Sequence, residues 1–225
     1  MIDYHMHLEK GPFSTEWWEK LYQREVENGI EECGISEHAH RFREARGIYD
    51  HLPYTEKWCD SSLEEYVDFV TQLKKDYPVK LGIEMDYLPE KESEIKNFLM
   101  RYDVFDYVLG SVHWLQSGFG FDIDPNDPRW SSDLEEIFFD YFERVKMAIH
   151  SGLFDIIAHI DLIKLWGVPL PAHIDDIYMD MGRIISASNA ALEINTSGLR
   201  RPVKEIYPSP RFLKTVSQFD VPITF

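Results

Sequence analysis

The stretch SLEEYVDFVTQLKKDYPVKLGIEMDY, residues 62–87, holds one repeat of the fold's logic. Ser62 and Glu65 stand in capping-box spacing, the arrangement in which each side chain satisfies a backbone N–H at the start of a helix. A helical period follows as far as Pro78. Then comes VKLGIEMDY, a short apolar run of strand length, with Glu84 and Asp86 near its end.

Runs of the same kind recur along the chain: MIDYHMH (1–7), IEECGISEH (30–38), YVLGSVHW (107–114), FDIIAHIDL (154–162), AALEINTS (190–197) and VPITF (221–225). Between them lie further segments with helical period. STEWWEKLYQREVENG runs from Ser14 to Gly29, and SDLEEIFFDYFERVKMAIHSG has Ser132 and Glu135 in capping-box spacing before Gly152. HIDDIYMDMGRIISASN and SPRFLKTVSQF supply two more. Strands alternating with helices predict an α/β fold with a parallel sheet, and seven strands over 225 residues favour a (β/α) barrel over an open sheet. No Gly-rich phosphate loop follows the first strand, which disfavours a dinucleotide fold. GFGFDIDPNDPRW (118–130) reads as a long surface loop able to cover a site.

At 225 residues and 44% hydrophobic, the chain suits one domain with one sizeable core. The formal net charge of −17 disfavours a nucleic-acid partner, because phosphate backbones are bound by clustered Lys and Arg. Without an apolar run of membrane-spanning length or a basic leader, a soluble cytoplasmic protein with no membrane partner is expected. Cys33 and Cys59 lie in no metal-type spacing and are read as ordinary buried or half-buried thiols.

In parallel α/β folds, sites form at the C-terminal ends of the strands. Here those ends carry His5 and His7, Glu37 and His38, Glu84 and Asp86, His113, His159 and Asp161, and Glu193 and Asn195. A lone strand histidine is more often a hydrogen-bonded core residue than a ligand. His5 and His7, two apart on a strand, face the same side and can bind one ion together, while Met6 points the other way into the core. The coincidence of all these residues with strand ends points to a metal site. Imidazole and carboxylate without thiolate suit divalent zinc, iron or manganese. Glu84 is the natural bridging carboxylate, and two ions about 3.5–4 Å apart are the usual arrangement for phosphoester hydrolysis. Arg200 and Arg201, beside the end of the sixth strand, are candidates to anchor a phosphate through their forked guanidinium groups, with Arg41, Arg43 and Lys164 as helpers. Aromatic groups in EWW, HRF and VHWL could receive a substrate ring, but such groups more often pack the core.

Taken in order, DYHMH, GISEH, GIEMDY, GSVHW, AHIDLIK and EINTSGLRRPVKEIYPS resemble the polymerase and histidinol phosphatase (PHP) superfamily, in its histidinol-phosphatase branch, over the whole chain. The resemblance implies a distorted seven-stranded (β/α)7 TIM-like barrel with two to three divalent metal ions (Zn, Fe or Mn). The implied reaction is hydrolysis of L-histidinol phosphate to L-histidinol and phosphate in histidine biosynthesis. By motif, His5, His7 and Glu84 would hold the first ion, Glu84, His113 and His159 the second, and His38 the third. Glu9 is a further candidate, where many members place a histidine a few residues on and this chain reads EKGPF. Glu84, His159 and Asp161 would carry the catalysis, Asp161 by handling the proton.

The family pattern next calls for Gly-Ser-Asp-Ala-His directly after the seventh strand, whereas the sequence ends at VPITF, so a truncated domain lacking its last helix is expected. Two other readings stand beside the phosphatase. One is a PHP-type phosphoesterase or exonuclease acting on another ester or on nucleic acid; the other is a non-catalytic relative that binds a phosphometabolite.

Overall fold

The structure, a computed structural model, describes residues 1–53 and 58–225. Nine strands and seven α-helices lie within them, in the order β1 (Ile2–Met6), α1 (Thr15–Glu27), β2 (Glu32–His38), α2 (Arg46–Tyr49), α3 (Leu63–Leu73), β3 (Val79–Asp86), α4 (Glu92–Arg101), β4 (Tyr107–Ser111), β5 (Trp114–Leu115), β6 (Phe119–Gly120), α5 (Leu134–Ser151), β7 (Ile156–Ile157), α6 (Ile174–Ser186), β8 (Ala191–Glu193), α7 (Pro210–Val216) and β9 (Ile223–Thr224). All seven predicted strands are present. The main sheet has the order β1-β2-β3-β4-β7-β8-β9, and the pairs β1/β2, β2/β3, β7/β8 and β8/β9 are parallel. That order is what helical crossovers between successive parallel strands produce. No helix among the described residues is long and apolar enough to cross a membrane.

The chain divides into two compact units, residues 1–85 with 93–109 and 225, and residues 86–92 with 110–224. In the first unit, the helix read from residues 62–77 starts as expected. Ser62 caps α3 and its hydroxyl accepts the Glu65 N–H at 3.4 Å. The fully buried Tyr66 of α3 sets its hydroxyl 2.8 Å from the Ile35 carbonyl and 2.7 Å from that of Gly82, tying the helix to β2 and β3. Tyr107, which donates to the Tyr4 carbonyl at 2.6 Å, lies where a Cβ on either Gly34 or Gly82 would collide with its ring. The two glycines therefore admit the tyrosine. Gly34→Ala and Gly82→Ala should each destabilise the fold by about 1–3 kcal/mol through overpacking. A urea midpoint equal to that of the wild type would contradict this.

In the second unit, α5 ends at Gly152, which takes the left-handed conformation (φ +64°) common just past a helix. Its start corrects the sequence reading: the cap is Asp133, not Ser132. The Asp133 carboxylate accepts the N–H groups of Glu135 at 2.9 Å and Glu136 at 3.4 Å, while Ser132 donates to the Arg129 carbonyl. A carboxylate is the stronger cap here because it also meets the positive end of the helix dipole. α6 and α7 pack through Tyr178 and Phe212, whose rings stack at 4.3 Å.

Two further readings are corrected. The segment 118–130 is not simply a surface loop, because β6 within it pairs antiparallel with β5 just before it, and Phe119 and Phe121 are buried. Burial of two phenylalanines outweighs the turn character of the Gly, Pro and Asp around them. The helix α4 has no counterpart among the expected helices; Ile95 and Phe98, three apart, give it a buried face. The aromatic groups Trp18, Phe42 and Trp114 are core, each at most 3% exposed.

Candidate metal centre

In the first unit, β1 delivers His5 and, one residue past its end, His7, while β2 delivers His38 and β3 delivers Glu84. The parallel register sets His38 directly beside Glu84. Glu84 is wholly buried, and three imidazoles turn toward one of its oxygens, Oε2: His38 Nδ1 at 2.6 Å, His5 Nε2 at 3.3 Å and His7 Nε2 at 3.4 Å. The rings are packed against one another, His7 on His38 stacked at 4.2 Å and His5 against His7 edge-on at 4.9 Å. Glu9, half exposed, reaches to 4.0 Å from the other nitrogen of His38. The ligand atoms of His7, His38 and Glu84 all lie within 4.8 Å of one another.

One carboxylate oxygen offers about two lone pairs, fewer than three imidazoles can share as hydrogen-bond donors. A divalent cation resolves the arrangement, since neutral imidazoles and a carboxylate all direct lone pairs at it. Neither thiol joins the cluster: Cys59 donates to the His40 carbonyl and Cys33 to that of Pro78. The residues present therefore fit a zinc, iron or manganese ion.

Glu37, beside His38 and also wholly buried, has a different task. Its carboxylate accepts the Leu8 N–H and the Arg41 guanidinium, the latter at 2.7 Å. Burial pushes its pKa up, and Arg41 works against that rise. The pair ties the end of β2 to the chain just after His7. Arg41, a candidate phosphate anchor in the sequence, is thus engaged by Glu37 and lies over the Phe13 ring at 5.4 Å. Arg43 donates to the Asp60 carbonyl.

The second unit positions two more of the expected ligands. His113 and His159 are buried, with ring centroids 5.1 Å apart. His113 Nδ1 lies 2.7 Å from Asp86 Oδ1 and 3.3 Å from Ser111 Oγ. His159 adopts a backbone φ of +27°, a conformation that residues with side chains rarely take and that persists only where neighbours enforce it. Here the buried Glu193 carboxylate accepts the His159 N–H at 2.6 Å and is itself oriented by the Asn195 amide at 3.0 Å. The sequence places Asp86 and Glu193 at strand ends but shows no partners for them, because the pairings join residues 27 and 34 apart in the chain.

Asp161 and Lys164 form a buried ion pair at 3.0 Å, 1% and 2% exposed. Asp161 also accepts the Ser209 N–H at 2.8 Å, and Lys164 reaches Glu205 at 3.1 Å and the Ile206 carbonyl at 2.9 Å. Burial raises the Asp161 pKa, and Lys164 opposes the rise. Arg200 and Arg201, at the turn after β8, are exposed and form no ion pair among the described residues.

A family profile described as the PHP domain matches residues 3–197. The chain belongs to the PHP family. It is 33% identical over 190 residues to a Deinococcus radiodurans protein named "Probable histidinol-phosphatase", covering 77% of this chain and 69% of that one. It is 26% identical over 246 residues to "Histidinol-phosphatase" of Bacillus subtilis, covering 99% and 91% of the two chains. A Listeria monocytogenes crystal structure, described as a candidate histidinol phosphatase, superposes with a TM-score of 0.83 at 21% identity over 100% of this chain and 93% of that one. That likeness shows the fold, and the α/β class of TIM-like PHP type expected from the sequence is the one found.

Proposed function

We propose that this PHP domain is a metal-dependent phosphomonoesterase and that its substrate is L-histidinol phosphate, hydrolysed to L-histidinol and phosphate in histidine biosynthesis. The observation that carries the reading is the convergence of His5, His7 and His38 on the buried Glu84 in a chain of this family. The names of the Deinococcus and Bacillus relatives support the choice of substrate. Two to three divalent ions are proposed, with His5, His7, His38, Glu84 and Glu9 as ligands in the first unit and His113 and His159 in the second. When bound, such ions polarise phosphoryl oxygens and supply hydroxide at neutral pH.

The protein's own groups do the rest. Glu84 fixes three imidazoles against one buried carboxylate, Glu37 and Arg41 brace the strand end beside them, and Glu193 holds the His159 backbone in its unusual conformation. Arg200 and Arg201 are the exposed cations proposed to meet the phosphate, and the ester is the expected partner rather than nucleic acid. The free thiols Cys33 and Cys59 fit the reducing cytoplasm proposed as its setting.

The test is phosphate release from L-histidinol phosphate, measured beside nuclease activity on a single-stranded oligonucleotide, before and after chelation. The expected result is phosphate release that chelation abolishes and a divalent ion restores, with no cleavage of the oligonucleotide. Release that persists undiminished after the ions are stripped, or preference for the oligonucleotide, would overturn the proposal.

A further inference from the structure

We infer that Asp86 is a positioning residue that locks the His113 ring into one tautomer and one orientation, so that Nε2 presents its lone pair to a metal ion. The inference rests on the ligand role proposed above for His113. It starts from geometry: Asp86 Oδ1 lies 2.7 Å from His113 Nδ1, Asp86 is 1% exposed and His113 8%. A carboxylate only accepts hydrogen bonds, so the proton between the two atoms sits on Nδ1. In the neutral imidazole a proton on Nδ1 leaves Nε2 unprotonated, the form a metal requires.

Ser111 Oγ, 3.3 Å from the same nitrogen, sits alongside the shorter bond. Burial of both partners keeps water from competing for either atom and holds the ring in one plane. The chain supports this placement locally. Asp86 closes β3, while Ser111 closes β4 and accepts the Tyr87 N–H on its carbonyl at 2.7 Å, so the residues flanking the pair are joined backbone to backbone. A carboxylate behind a ligating histidine raises its basicity and fixes its direction, and losing such a partner typically costs about 10–100-fold in metal affinity.

The experiment uses the full chain and zinc ions. Ring nitrogen shifts of His113 in the metal-free protein report the tautomer, and competition against a chromophoric chelator reports zinc affinity, for the wild type, Asp86→Asn, Asp86→Ala and His113→Gln. The expected result is an Nδ1–H tautomer in the wild type, and an affinity about 10–100-fold weaker in both Asp86 variants. A wild-type ring protonated at Nε2 would overturn the inference even if neither Asp86 variant folds. So would a loss of affinity in His113→Gln that folded Asp86 variants do not share. Unchanged zinc affinity in His113→Gln would instead remove the ligand role of His113.

Discussion

Glu84→Ala should abolish phosphatase turnover and strip bound metal while leaving the fold in place. Its effect should exceed that of any supporting residue, for which the typical loss is about 10–100-fold in affinity or activity. The reason lies in the convergence. Three imidazoles from two strands point at Oε2, at 2.6, 3.3 and 3.4 Å, so Glu84 is the group they have in common. An alanine leaves the histidines stacked against one another through His7 and His38 but removes the carboxylate on which all three converge. The variant should therefore fold, since removing a buried carboxylate also removes its desolvation cost. Metal content by elemental analysis and phosphate release should fall together. Wild-type metal content and turnover in a folded Glu84→Ala protein would end its assignment as a ligand.

Lys164→Met should cost about 3–5 kcal/mol of stability, the usual result of removing one partner from a buried ion pair. The side chain is 2% exposed and its Nζ serves Asp161, Glu205 and the Ile206 carbonyl, with the Tyr207 ring 5.4 Å away. Methionine keeps the volume and leaves Asp161 buried without its Lys164 partner. A phosphate-anchoring lysine would behave otherwise, raising KM with little change in unfolding. Chemical denaturation read beside KM separates the two roles. A denaturation midpoint equal to the wild type's, with a raised KM, would return Lys164 to the phosphate.

Much of the first half of the candidate site was legible because its signals are local. His5 and His7 are two apart on one strand, and Glu84 closes an apolar run behind a capped helix, so period and position alone gave their faces. The supporting groups were not legible in that way. Asp86 on His113, Glu193 on the His159 backbone and Asp161 with Ser209 join residues 27, 34 and 48 positions apart, and only the folded sheet sets such pairs side by side. The partners of Arg41 and Lys164 were hidden for the same reason. Their charges looked available in the sequence, but the fold gives each a buried carboxylate to neutralise, Glu37 and Asp161. At the level of elements, α4 escaped notice because a ten-residue helix with two buried apolar side chains carries little periodic signal. The cap of α5 was misplaced by one residue because Ser132 and Asp133 are both good capping residues.

The central claim, that His5, His7, His38 and Glu84 form a metal centre, is tested most directly by anomalous X-ray scattering from crystals of the protein grown with excess zinc or manganese. The account predicts an anomalous peak about 2.0–2.2 Å from imidazole nitrogens of this cluster and from a Glu84 carboxylate oxygen. A well-ordered cluster with no peak among those side chains, at metal concentrations that load other sites in the crystal, would contradict it.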